Sequence, residues 1–176
     1  MVSICTPSDV GNKDNFCAKI TLMEDKKFLQ LAIKQARQSM EQGGFPAGAV
    51  VVKDGKVIAE GISLGYQLHD PTEHAETSAI RKACQLVGSS NLEGATLYES
   101  LECCNMCFSV AVWGGISRVV YACRKTPEMV KKFYYEGMTK NEDINNTNNT
   151  KIELIFIPDY EQECLDIVRE WEEKQK

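Results

Sequence analysis

The sequence predicts an α/β protein of three layers, in which a central five-stranded mixed sheet lies between helices on both faces. Three observations lead to this prediction. Segments of helical and strand character alternate in the order α-β-β-α-β-α-β-α-β-α, an order typical of sheets covered by helices. Asp54-Gly55 lies between the first two strand segments and favours a tight hairpin turn. The 176 residues are one domain's length and can bury a core without disulfides.

The first elements are a long helix and a hairpin. Apolar residues recur at steps of three and four from Met23 until Gly43-Gly44, which predicts an amphipathic helix. Residues 47–52 and 57–59 are small or β-branched and flank Asp54-Gly55, so they are expected to pair.

The later elements follow from capping signals and from short apolar runs. Thr72 is a good N-cap and predicts a helix from that point to about Val87. The remaining elements are expected to be a strand at 96–99, a short helix at 105–113, a strand at 118–122, a helix opened by Thr126-Pro127, a polar loop at 141–150, a strand at 152–157 and a helix at 159–174.

The chain is expected to form a single domain over residues 23–176, preceded by a polar lead-in over residues 1–22 of uncertain order. No run approaches the roughly 18 apolar residues of a membrane span, and the N-terminus lacks the pattern of a secretory leader. We therefore expect a cytoplasmic protein with no membrane partner. The net charge of −5 argues against a dedicated nucleic-acid binder, which needs a concentrated basic face.

Two short motifs carry the chemistry. His74-Ala75-Glu76 lies at one predicted helix start, and Cys104-Asn105-Met106-Cys107 lies at another. In a reducing compartment, cysteines are more often metal ligands or core residues than disulfides. Two thiolates at a helix N-terminus and one histidine make three zinc ligands, which leaves a fourth position for water. The motifs predict one catalytic zinc held by His74, Cys104 and Cys107, with Glu76 beside the water. A Cys-x-x-Cys redox pair is the alternative, although it would not need His74.

The motifs resemble the cytidine deaminase-like superfamily, whose signature is His-x-Glu followed by Pro-Cys-x-x-Cys. The resemblance covers nearly all of residues 24–174 and is greatest to guanine and nucleoside deaminases, because of the run 70–76 and Trp113. It implies a zinc ion held by the three ligands and a catalytic Glu76 that shuttles protons. It also implies four substrate-binding residues, namely Phe45, Ser63, Ala75 (through its backbone) and Trp113. Core filling is the alternative for Trp113.

Three positions depart from the family pattern. Cys103 stands in place of the proline before the first ligand cysteine, so the turn loses a fixed φ and gains a thiol. Ser63 stands where an asparagine usually binds substrate, and Pro127 stands near the position of an acidic contact of guanine deaminases. These departures bear on the substrate more than on the chemistry.

The resemblance implies hydrolytic deamination of a nucleobase or nucleoside, with guanine converted to xanthine and ammonia as the first expectation. The alternatives are a deaminase of cytosine, another small heterocycle or a nucleoside, a tRNA adenosine deaminase, and a non-catalytic regulatory homologue stabilised by zinc. A tRNA substrate is disfavoured by the acidic charge, although four lysines offer a local basic patch: Lys125, Lys131, Lys132 and Lys140.

The resemblance also implies a homodimer that exchanges its C-terminal segment, here residues 152–174. Apolar side chains such as Leu165, Val168 and Trp171 must be buried in that segment. The sequence does not indicate whether they are buried against their own chain.

Overall fold

The computed structural model describes residues 13–176, with side chains described from residue 21 onward. Seven helices and five strands occur in this part of the chain. In order they are α1 (Lys13–Glu41), β1 (Phe45–Lys53), β2 (Lys56–Ser63), α2 (Gly65–Leu68), α3 (Ala75–Val87), β3 (Thr96–Glu99), α4 (Asn105–Trp113), β4 (Arg118–Tyr121), α5 (Pro127–Lys131), α6 (Asn141–Thr147), β5 (Glu153–Phe156) and α7 (Glu161–Lys174).

The five strands form one mixed sheet in the order β2-β1-β3-β4-β5. β1 pairs antiparallel with both β2 and β3, whereas β3, β4 and β5 run parallel. The hairpin turn lies at Asp54 and Gly55, both with positive φ. This arrangement confirms the predicted fold class.

Helices cover both faces of the sheet, as two glycines show. A Cβ on Gly48 would lie 2.2 Å from the carbonyl oxygen of Ala32, so α1 passes directly over this face of β1. Gly61 pairs with Ala49, the next residue of β1, and a Cβ there would lie 1.9 Å from the carbonyl oxygen of Ala75 in α3. Because neighbouring strand residues point to opposite faces, α1 and α3 lie on opposite sides of the sheet. α7 packs on α1, and α4 packs on α3.

The core is apolar and lies on both faces of the central strands. Val50 and Val51 of β1 are fully buried, as is Leu97 of β3. Phe108 of α4 and Leu29 of α1 fill the two helix layers. No helix within residues 13–176 is both long and apolar enough to cross a bilayer.

Two helix starts differ from the sequence prediction. α1 begins at Lys13 rather than at Met23, so it includes residues 13–22, which were expected to belong to the polar lead-in. Residues 1–12 of the expected lead-in lie outside the described residues. α3 begins at Ala75 with His74 as its N-cap, because the Thr72 hydroxyl donates to Asp70 instead of capping the helix.

The segment between β4 and β5 also differs. α5 ends at Lys131, where the predicted helix continued, and Phe133 takes a positive φ of 60°. The expected polar loop contains α6, which begins with the buried Asn141. A short polar helix of this kind is held by tertiary contacts, so apolar periodicity does not indicate it.

Candidate metal centre and substrate cleft

The two predicted motifs meet at one end of the sheet. His74 is the N-cap of α3, and Cys104 is the N-cap of α4, directly after β3. The Nδ1 atom of His74 lies 3.6 Å from the Sγ of Cys104 and 3.5 Å from the Sγ of Cys107. All three potential ligand atoms lie within 4.8 Å of one another.

These separations fit a tetrahedral zinc ion. Zinc–sulfur bonds of about 2.3 Å and zinc–nitrogen bonds of about 2.0 Å place nitrogen and sulfur about 3.5 Å apart at a tetrahedral angle. Two thiol groups and an imidazole are also the donor set that zinc prefers. The three side chains therefore form a candidate zinc site with one position left for a further ligand.

Local electrostatics favour one thiolate at the helix start. The Cys107 thiol donates a hydrogen bond to Cys104, and His74 does so as well, which lowers the pKa of Cys104 to about 5. The N-terminus of α4 adds a positive dipole end. The same hydrogen bond from His74 to Cys104 raises the pKa of His74. On the other side, the Thr77 hydroxyl lies 3.4 Å from the Cys107 sulfur.

Glu76 lies on the first turn of α3, beside the ligands. Its carboxyl group is buried, and this burial raises its pKa, with the charge of Cys104 raising it further. The side chain nevertheless lines the same cleft as His74 and Cys104. A carboxyl group with a raised pKa beside a metal site is suited to accept and return a proton.

A cleft of about 450 Å³ opens over these residues. Its walls come from the start of β1, the segment after β2, the turn before α4, residues 132–135 and α7. Aromatic, polar and charged side chains line these walls, among them Phe45, Ser63, Tyr66, Asp70, Glu102, Lys132, Phe133, Tyr134 and Trp171.

Residues 22–123 match the family model described as the cytidine and deoxycytidylate deaminase zinc-binding region. The match spans more than half of the chain and includes all three candidate ligands and Glu76. The chain belongs to this deaminase family.

Curated relatives agree on the reaction class but differ in substrate. Guanine deaminase of Bacillus subtilis is 43% identical over 105 residues, which cover 59% of this chain and 67% of that protein. The tRNA-specific adenosine deaminase of Aquifex aeolicus is 38% identical over 100 residues, which cover 57% of this chain and 66% of that protein. The chain is accordingly a deaminase, a zinc-dependent hydrolase acting on C–N bonds, and its substrate is not decided by these relatives.

A solved structure has the same fold. It comes from work on tRNA:A34 deaminases that edit adenosine to inosine at the wobble position, and it superposes with a TM-score of 0.70 at 30% identity. The superposition covers 81% of this chain and 99% of the other.

In this deaminase, two of the four predicted substrate-binding residues line the cleft. Phe45 and Ser63 lie at its wall, at the start of β1 and at the end of β2. Ala75 is fully buried against Gly61, and its neighbours His74 and Glu76 line the cleft instead. A role for the Ala75 backbone in binding a base stays a prediction.

Trp113 does not line the cleft of the single chain, and a role for it in substrate binding stays a prediction. It is the last residue of α4, and 87% of its surface is exposed. The metal-proximal end of this helix is its first residue, Asn105, so Trp113 lies about 12 Å further along the axis. Among the described residues, the tryptophan that lines the cleft is Trp171, from α7.

Cys103 is not in the cleft either. It is buried beneath the ligand turn, and this burial raises the pKa of its thiol well above the usual range. Its backbone N–H donates to Glu99 at 3.1 Å, and its carbonyl oxygen accepts from Asn141 at 2.9 Å.

Several residues that surround the ligand turn were not identified from the sequence. The Tyr135 hydroxyl donates to the Glu102 carbonyl oxygen at 2.7 Å, and the Lys125 N–H donates to the Glu102 carboxylate at 3.0 Å. The Asn105 N–H donates to Glu136. Each contact joins residues more than 20 positions apart, so no local pattern signals it.

An aromatic cluster forms one wall of the cleft. Phe45 lies 5.1 Å from Tyr134 and 5.3 Å from Trp171, measured between ring centroids, and the last two rings lie 5.7 Å apart. Within the described chain the C-terminal segment packs on its own sheet, because β5 pairs with β4 and α7 contacts α1 and β1.

Two of the four lysines of the expected basic patch are engaged in contacts within the chain. Lys125 is buried and its Nζ donates to the Thr139 carbonyl oxygen. Lys132 forms ion pairs with Glu128 and Glu172. The patch is therefore not a free basic face at these two positions.

Proposed function

We propose that this deaminase hydrolyses the exocyclic amine of a small nucleobase, with guanine as the first candidate. The observation that carries the proposal is the common cleft. Its lining includes the aromatic cluster of Phe45, Tyr134 and Trp171 together with Glu76 and two of the candidate zinc ligands, His74 and Cys104. Aromatic walls bind planar heterocycles by stacking. The relative from Bacillus subtilis that acts on guanine supports the choice of base.

The residues have distinct parts in this reaction. His74, Cys104 and Cys107 would hold the zinc ion, which when bound supplies the Lewis acidity that brings the pKa of water toward neutrality. Glu76 accepts a proton from the attacking water and delivers it to the ring nitrogen next to the amine-bearing carbon. Water adds to C2 of guanine, and Glu76 then transfers the remaining hydroxyl proton to the exocyclic amine. The C–N bond breaks as the C2 carbonyl forms, which releases ammonia and xanthine.

The charges of the cleft support a neutral base over a phosphate-bearing substrate. Carboxyl groups of Asp70, Glu76 and Glu102 line the cleft. Its one lining lysine among the described residues, Lys132, is already paired with carboxylates. A phosphate at the mouth would meet like charge without a free cation to offset it.

Ammonia release over a panel of guanine, guanosine, adenine, cytosine and an anticodon stem-loop RNA tests the proposal. We expect guanine to be turned over by the wild type and not by Glu76→Gln, which keeps the size of the side chain but accepts no proton. Unchanged turnover in Glu76→Gln would exclude the mechanism. No turnover of any substrate by the zinc-loaded protein would favour the non-catalytic homologue.

A tRNA adenosine is the second candidate, and the rim of the cleft is the observation that favours it. Tyr66 is 80% exposed and Phe133 is 94% exposed, although both line the mouth. Exposed aromatic rings can stack on the bases that flank a target nucleotide. This candidate requires activity on the stem-loop RNA that falls steeply with salt and with Tyr66→Ala, whereas guanine turnover would depend little on salt.

We also propose a homodimer, with α4 at its interface. Met106, Val110 and Trp113 recur at steps of four and three, and all three keep exposed surface among the described residues. Such a stripe on a helix surface is typical of a protein interface. Light scattering should give twice the chain mass for the wild type and the single chain mass for Val110→Glu, with Ser109→Glu on the same surface at the edge of the stripe as a control.

A further inference from the structure

The peptide groups on both sides of Cys103 are held by side chains from two other elements. The Cys103 N–H donates to Glu99 Oε2 at 3.1 Å, and Glu99 is the last residue of β3. The Cys103 carbonyl oxygen accepts from Asn141 Nδ2 at 2.9 Å, and Asn141 is the first residue of α6. The next residue along the chain is the candidate ligand Cys104.

These two hydrogen bonds constrain both backbone dihedrals of Cys103. Its N–H lies in the peptide plane before the residue, and its carbonyl lies in the plane after it. Since φ and ψ relate these two planes, fixing the direction of both groups fixes the conformation of the residue. The second plane ends at the Cα atom of Cys104, so this plane and the φ of Cys104, −71°, together set the direction of its Cα–Cβ bond.

All three residues are buried, so water cannot replace the hydrogen bonds. Glu99, Cys103 and Asn141 have little or no exposed surface. A buried N–H or carbonyl group without a partner costs about 1–3 kcal/mol. The conformation of the turn therefore depends on these two side chains. In the family pattern a proline stands at this position, and its ring fixes φ without such contacts.

The buried carboxyl group of Glu99 is expected to lower the free energy of unfolding of the protein. Its partners are the backbone N–H and the thiol of Cys103, whereas its Oε1 atom has no hydrogen-bond partner among the described residues. Burying a carboxyl group that is only partly hydrogen-bonded costs more free energy than burying an apolar side chain. The contribution of Glu99 therefore lies in the geometry that it imposes on the turn.

We propose that Glu99 and Asn141 are positioning residues of the zinc site. They hold the two peptide planes of Cys103 and thereby set the direction in which Cys104 presents its sulfur to the metal. The inference rests on the zinc site and not on the choice of substrate, so zinc affinity is its readout, independent of deamination.

The test is competition for zinc between the purified protein and a chromophoric chelator. We expect Glu99→Val and Asn141→Leu to weaken zinc binding by about 10- to 100-fold, as loss of a group that orients a ligand does in other zinc sites. Glu99→Gln keeps an oxygen for the Cys103 N–H and is expected to bind zinc like the wild type.

Ser100→Ala is the matched control for loss of a buried hydrogen bond. Its hydroxyl accepts from the Gly48 N–H at 3.0 Å, next to Glu99 in sequence but away from the ligand turn. If the Glu99 and Asn141 variants lose only thermal stability, as Ser100→Ala does, and bind zinc normally, the two residues are merely structural and the proposal is wrong. A loss of zinc in Glu99→Gln equal to that in Glu99→Val would also contradict it.

A double-mutant cycle with Cys103→Pro makes the test independent of how well Glu99→Val alone folds. Proline has no backbone N–H that could donate a hydrogen bond to Glu99, and its ring fixes φ without a partner. In the Cys103→Pro background, Glu99→Val should therefore leave zinc affinity unchanged. Equal weakening by Glu99→Val in both backgrounds would overturn the proposed connection through the Cys103 N–H.

Discussion

The carboxylate of Glu136 accepts a hydrogen bond of 2.6 Å from the backbone N–H of Asn105, the first residue of α4. The first N–H groups of a helix have no partner within the helix, and a nearby carboxylate also interacts favourably with the helix dipole. Glu136 thus caps α4, although it lies 31 positions later in the sequence than Asn105. This helix carries Cys107 and begins directly after Cys104.

Replacement of Glu136 by alanine should destabilise the protein by about 1 kcal/mol, because loss of a side-chain cap at a helix start has costs of this order. Glu136→Gln keeps an acceptor oxygen and should lose less. Urea unfolding of both variants measures the difference. Equal stability of wild type and Glu136→Ala would mean that water caps the helix equally well.

Zinc content should separate the ligand cysteines from the others. Metal analysis is expected to find one zinc per chain in the wild type, and much less in His74→Ala and in Cys104→Ser, because each removes one of the three donor atoms. Cys103→Ser should retain zinc, since its sulfur is buried away from the cleft. Cys84→Ser, a half-buried cysteine on α3, is the control. Full zinc in Cys104→Ser would contradict the ligand set.

The aromatic cluster should determine substrate affinity. Trp171→Ala removes one ring of the cleft wall and the support of Phe45 and Tyr134. We expect KM to rise about tenfold, since stacking on an aromatic ring contributes about 1–3 kcal/mol per base. Trp113→Ala makes the same chemical change at the exposed end of α4 and should leave KM unchanged, with its oligomeric state checked by light scattering. A larger effect for Trp113 than for Trp171 would support the role that the resemblance implied.

The fold could be predicted from the sequence wherever burial leaves a local pattern. All five strands lie at the expected positions, and Thr96–Glu99 and Arg118–Tyr121 are short runs rich in β-branched and aromatic residues. β1 and β2 extend beyond the predicted 47–52 and 57–59. α1 begins at Lys13, before the expected Met23. α6 was not expected, because its residues are polar and show no apolar periodicity. Asn141 shows the reason: it is buried through a contact with Cys103, 38 positions earlier.

The metal centre was predictable because its ligands lie at the starts of two recognisable helices. The cleft was less predictable, because Tyr134 and Trp171 line it from segments that lie far from His74 in the sequence. Trp113 is the last residue of α4 and is exposed, so its predicted contact with substrate is tested only by the variant described above.

Ser39 joins two walls of the cleft and should be important for stability. Its buried hydroxyl donates to the Phe45 carbonyl oxygen at 2.7 Å and accepts from the Ser63 N–H at 3.0 Å. Ser39→Ala leaves both groups unpaired, and we expect a loss of about 1–3 kcal/mol in the free energy of unfolding. Ser109→Ala, at an exposed hydroxyl of α4, should change little. Equal stability of the two variants in urea would show that water replaces the Ser39 hydroxyl.

Stability should fall with rising pH because of Glu99. Burial raises the pKa of this carboxyl group well above its usual value, and the neighbouring Glu76 and Glu102 raise it further. Below the ordinary pKa of a glutamate, both the folded and the unfolded states hold the proton, and the stability is complete. Above that pH the unfolded state releases the proton while the folded state retains it, so the free energy of unfolding decreases until the folded state also ionises.

Glu99→Gln removes this ionisation and should become more stable relative to the wild type as the pH rises from about 4.5 toward neutrality. Urea unfolding at several pH values, in the presence of a chelator so that zinc does not contribute, measures the difference. Glu93→Gln makes the same change at an exposed carboxylate and serves as the control. The difference in the free energy of unfolding between Glu99→Gln and the wild type could instead stay constant with pH, or change in favour of the wild type. Either result would mean that Glu99 is ionised in the folded protein. Cys103 would then be held by a carboxylate rather than by a neutral carboxyl group.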